Sequence, residues 1–131
     1  MSAGDTFTVT IPISASPAAN QYAVRAPADG VGGGITIKKA YAVNQATTSG
    51  TATYTLALHK WSNAATAALS GTIAAALGGT ADHWTDDVPK EFTISDGWLD
   101  AGEWCLINYA AVAGGAPTAG GAVVIQYQMG R

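Results

Sequence analysis

Polar and apolar residues alternate along most of this chain, the pattern of strands with one face buried. Residues 6–13 read TFTVTIPI, with Phe7, Val9, Ile11 and Ile13 on one face and threonines on the other. Pro12 has no N–H for a ladder, so this strand is expected at an edge, or to end its pairing there. Residues 19–25 predict a short second strand, stopped by Pro27 and a turn at Asp29-Gly30. A third opens at Ile35 and runs through Tyr41 and Val43. The segment 51–61 alternates most cleanly, with Tyr54, Leu56 and Leu58 set against Thr53, Thr55 and Ala57. Further strands are predicted over 91–94, 104–109 and 123–127.

Segment 62–77 reads two ways. Leu69, Ile73 and Leu77 stand four apart among alanines, which suits a helix capped by Ser62 or Asn63. Ser70-Gly71 interrupts that run. The preferred reading is therefore a short strand over 71–75, with a one-turn helix over 63–68 as an extra. Glycine clusters at 30–34, 78–79, 114–115 and 120–121 separate the strands and supply positions for tight connections. Seven or eight short strands without a long helix predict an all-β fold, an antiparallel β-sandwich, formed as a single domain over 1–131. Its expected core includes Phe7, Val9, Ile37, Leu56, Leu58, Phe92, Ile94, Leu106 and Ile125. Met1–Asp5 carries no strong pattern and is expected to be a flexible arm.

Composition changes this picture in one respect. The chain of 131 residues is 48% hydrophobic but only 11% charged, against about 25% charged in a typical soluble domain. The outward strand faces must then be built of Thr, Ser, Ala and Gly. Little charge has to be desolvated where such faces meet another protein. Six scattered cations and a net charge of −3 build no phosphate-neutralising stripe, so nucleic acid is not an expected partner. No apolar run reaches the ~18 residues of a membrane span, and the N-terminal residues show neither the basic nor the apolar region of a secretory signal. A single cysteine, Cys105, leaves no internal disulfide and fits a reducing compartment.

Candidate chemistry is sparse. Cys105 lies mid-strand between Trp104 and Leu106, where a free cysteine is a small core hydrophobe. His59 ends an alternating strand, and its expected state is solvated or locally satisfied. His83 stands among Asp82, Asp86 and Asp87. These oxygens are of the kind a hard cation takes, but they lack EF-hand spacing, and a solvated acidic loop is expected. Asp100 and Glu103 invite comparison with a glycosidase pair, yet they flank Ala101-Gly102, where acidic residues are ordinary turn chemistry. The glycines at 30–34 precede a strand rather than a helix and make no phosphate loop. No catalytic residue, metal or cofactor is expected.

Four tryptophans remain. Trp104 alternates with Leu106 and is expected in the core. Trp61, Trp84 and Trp98 fall at strand ends and in loops, and three readings are open. They close the ends of the sandwich, stack on sugar rings, or anchor a protein interface, where tryptophan is enriched.

The succession of Tyr54–Leu58, then SGTIA at 70–74, GGT at 78–80 and EFTI at 91–94 continues through DGWLDAGEW at 96–104 to IQYQMGR at 125–131. In style and order it resembles small structural proteins of tailed-bacteriophage virions, in particular capsid decoration proteins with a jelly-roll-like β-sandwich. The resemblance is best over 50–131 and carries no single diagnostic motif. It implies a non-enzymatic protein assembled in the host cytoplasm and bound to the outside of a capsid, with the major capsid protein and copies of itself, a trimer first, as partners. The alternatives are a carbohydrate-binding module using the loop tryptophans, or a head-fibre or tail component.

Overall fold

A computed structural model of the chain describes residues 5–15, 17, 19–27, 33–48, 53–62, 69–112 and 120–130. Among these residues are nine strands: β1 (Thr6–Ile13), β2 (Asn20–Arg25), β3 (Ile35–Asn44), β4 (Tyr54–Trp61), β5 (Leu69–Gly78), β6 (Lys90–Glu91), β7 (Trp98–Leu99), β8 (Trp104–Ala111) and β9 (Gly121–Met129). No helix occurs among the described residues. The helical turn expected over 63–68, and residues 1–4 of the expected arm, lie outside them.

The strands form two antiparallel sheets packed as a β-sandwich. In the first the order is β1-β9-β3, with β6 and β7 both on the far side of β3. In the second it is β2-β8-β4-β5. The chain therefore changes sheet at every connection except β4–β5, and except β6–β7, which share β3. Inward residues from both sheets build one core: Ile37, Ala40, Val123 and Ile125 from the first, Leu56, Leu58, Ile73 and Ile107 from the second. Burying such side chains supplies about 1.5–3 kcal/mol each.

Alternation predicts β1, β3, β4 and β9 because each has one face on this core. One expected strand comes out differently. The pairing expected over 91–94 is only Lys90–Glu91, followed by a single bridge from Ile94 to Ala74 of β5. Here the chain leaves one sheet for the other. Phe92 N–H donates to Ala40 O on β3, and Ser95 N–H donates to Ile73 O on β5. It then returns: Ile37 N–H donates to Gly97 O, and Leu99 pairs with Ile35. Segment 90–99 thus laces the β3 and β5 sides of the sandwich together, and its backbone groups are satisfied by two sheets in turn.

Phe7, Val9 and Ile94 of the expected core are only half-buried. β1 is an edge strand, as Pro12 requires, although pairing with β9 continues past it to Ile13 and Gly121.

Candidate functional site

The site is on the outer face of the second sheet, and three cross-strand rows build it. Arg25 of β2 pairs with Trp104 of β8, which pairs with Trp61 of β4. In the next row stand Tyr22, Leu106 and His59, and in the third Asn20, Asn108 and Ala57. These nine positions share one face because side chains two apart in a strand point the same way. On β2 a bulge between Tyr22 and Val24 keeps Arg25 on that face while Val24 joins the core beside Cys105.

The aromatic rings at the head of this array touch. Tyr22 meets Trp104 edge-on at 4.9 Å between centroids and Trp61 at 5.5 Å and 81°. Such contacts contribute about 0.5–1.5 kcal/mol beyond buried area. The Arg25 guanidinium lies 5.5 Å from the Trp104 ring centroid, a cation–π placement. Tyr22 is nevertheless 52% exposed, one of two large hydrophobic residues so placed among the described residues. Leu106, at the centre of the array, is only 2% exposed. Below it, Asn108 Nδ2 donates to Asn20 Oδ1 at 2.9 Å. The face is therefore an aromatic ridge over a buried leucine, with one cation at its rim and a pair of amides at its foot.

Trp104 and Leu106 do share a face, as alternation requires, but it is the outer one. β8 is apolar on both sides, with Cys105 and Ile107 turned into the core. The expectation that Trp104 is a core residue is corrected: it is half-buried beside Tyr22.

The three tryptophans expected at the rim are not brought together. Trp61 belongs to the array. Trp98 is half-buried in β7, its Nε1 donating to Asp100 Oδ1 at 2.8 Å. Trp84 is fully buried. It stacks on Tyr54 at 5.0 Å and 12°, and its Nε1 donates to Tyr54 O at 2.9 Å. Trp84 closes one end of the core and is not available for docking. Its loop is clamped to the β3–β4 connection: Trp84 N–H donates to Thr48 Oγ1, Thr48 N–H to Trp84 O, and Asp87 N–H to Asn44 O. Tyr22, the most exposed ring of the array, is missing from the sequence reading because only register brings it to the tryptophans.

The remaining acidic candidates have structural partners, whereas His83 Nε2 is buried without a hydrogen-bond partner. Asp82 is ion-paired with Lys90 and accepts from Gly78 N–H, which holds its carboxyl below the usual carboxylate range. Asp86 N–H donates to Thr47 Oγ1. Among the described residues, no three of His, Cys, Asp and Glu are gathered to hold a metal ion. Asp100 and Glu103 hold their own turn, since Asp100 N–H donates to Glu103 Oε1 and Glu103 N–H to Asp100 O. Burial pushes the Cys105 thiol up to about 12. It stays protonated at neutral pH, the wrong state for a nucleophile.

No known protein family, curated protein or solved structure matches the chain.

Proposed function

We propose that this is a non-enzymatic virion structural protein of the capsid decoration type, which docks on the major capsid protein through the outer face of its β2-β8-β4 sheet. The observation that carries docking is the aromatic ridge: Tyr22 half exposed, held edge-on by Trp61 and Trp104. Rigid aromatic rings with a neighbouring arginine are the residue types that dominate binding at protein interfaces. The rings are already fixed by each other, so docking orders few rotamers. A chain with only 11% charged residues adds little desolvation cost.

The strand order supports the capsid reading. If β6 and β7 count as two halves of one strand, eight strands are divided between two four-stranded sheets. This order fits a jelly roll, an arrangement found in viral capsid and lectin domains. Copies bound side by side on a symmetric shell would convert weak contacts into firm attachment.

The same ridge favours a second reading, a carbohydrate-binding module. Sugar rings stack on exposed aromatic faces, and the Asn20 and Asn108 amides offer hydrogen bonds beside them. Immunogold labelling of particles from the native source, with a glycan array in parallel, separates the two. The capsid reading predicts label on the outer surface of heads and no saturable glycan binding. Unlabelled particles together with saturable binding to a polysaccharide would establish the second reading instead.

A further inference from the structure

The four lateral edges of the sandwich are not equally protected. The β3 and β5 edges are covered by segment 90–99, which hydrogen-bonds to both. The β2 edge is broken by its bulge and carries Arg25; bulges and charges are devices that keep edges from pairing. The β1 edge has neither. Residues 6–13 contain no charge, β1 pairs with β9 without a register shift, and no described strand pairs with its other side, where Pro12 blocks one end only.

The direction of its backbone groups follows from Pro12. Proline has no N–H, and the Pro12 carbonyl accepts from Gln21 Nε2 of β2 at 3.0 Å, so Pro12 turns away from β9. In an antiparallel ladder, alternate residues of an edge strand present both N–H and C=O outward. Thr6, Thr8 and Thr10 therefore present theirs outward too, while Gln21 covers only the Pro12 end.

We propose that β1 pairs antiparallel with β1 of a second copy about a two-fold axis at Thr8. Thr8 then faces Thr8 of the second copy, and Thr6 faces Thr10 of it. The outward N–H and C=O groups of all three are satisfied, and the threonines form cross-strand pairs. A two-fold contact must be self-complementary. This one is, because the strand is uncharged and identical small polar residues meet on its outer face. On the inner face Phe7 comes opposite Val9 of the second copy, covering two apolar residues that are half-buried in one molecule. The two first sheets become one continuous sheet across the dimer. This pairing stands on the β1 backbone and does not depend on the aromatic face.

A charge swap at the axis tests it. Sedimentation velocity of the purified full chain is expected to show a concentration-dependent dimer. Thr8→Lys and Thr8→Glu, both at an exposed side chain, are each expected to sediment as monomers, and their equimolar mixture as a dimer. Amide exchange of Thr8 and Thr10 in the unmodified protein is expected to slow at least tenfold from dilute to concentrated solution. A wild-type monomer at all concentrations would overturn the proposal. So would an assembly that survives either substitution, an edge that captures only a foreign strand, or amide exchange independent of concentration.

Discussion

Trp84 and Trp61 make opposite commitments although both read as loop or strand-end tryptophans. Replacing the fully buried Trp84 with alanine removes its stack on Tyr54 and the donor to Tyr54 O. The expected cost is about 3–5 kcal/mol, read as a lower urea midpoint. Trp61→Ala, at a half-buried outer position, is expected to cost about 1 kcal/mol or less and to leave the fold intact. Local sequence did not separate them. Trp84 is flanked by His83 and Thr85, with Asp82, Asp86 and Asp87 close by, and that polarity reads as a solvated loop. Its burial comes from the distant residues Asn44, Thr47 and Thr48. Cys105 was legible, because a cysteine in the middle of an apolar strand has few other roles. A thiol reagent should label it slowly in native buffer and rapidly in denaturant. Its raised pKa also fixes a pH dependence. The unfolded thiol, with an ordinary value of about 8.5, releases its proton first. Stability is then complete below about pH 8.5 and falls as pH rises toward the folded value of about 12. Urea midpoints measured from pH 8 to 11 should fall less steeply in Cys105→Ala than in wild type.

At the scale of elements, period-two alternation was informative where a strand has one buried face and silent where it has two. β1, β3 and β4 were legible for that reason. β8 was legible as a strand but not in orientation, since either face of WCLI could have been the core. β5 was harder still. Its register with β4 shifts three times, and its small residues suit helix and strand alike, so no simple period survives. Residues 91–94 read as one strand because a chain that crosses between sheets keeps the composition of a strand while pairing only in pairs of residues. The β5 end shows how tightly these elements meet. Gly78 has φ +88°, and a Cβ there would fall on the Trp84 indole and the Tyr54 carbonyl. Gly78→Ala is expected to destabilise by about 2 kcal/mol or more, through backbone strain and displacement of Trp84. Thermal melts would check this, and an unchanged Tm would show that the C-terminal end of β5 relaxes freely. Gly79, although at φ +98°, would bring a Cβ only against the Thr55 methyl group, so its substitution should cost less.

On the scale of the whole molecule, the two sheets divide the work. The first contributes β9 and β3 to the core and leaves the β1 edge open; the second turns an aromatic ridge outward. The sandwich was legible in the sequence. The ridge was not, because Tyr22, Trp61 and Trp104 are joined only by the register of three strands. The measurement that bears most directly on docking is cosedimentation with capsid shells from the native source that lack the protein. Wild type, the double variant Tyr22→Ala/Trp61→Ala and the variant Trp98→Ala would be compared, each first shown to be folded by circular dichroism. The docking account predicts saturable binding of wild type and of Trp98→Ala, and at least about thirtyfold weaker binding of the double variant, the loss expected when hot-spot aromatics are truncated. Wild type that fails to bind the shells, or a double variant that binds as wild type does, would contradict it.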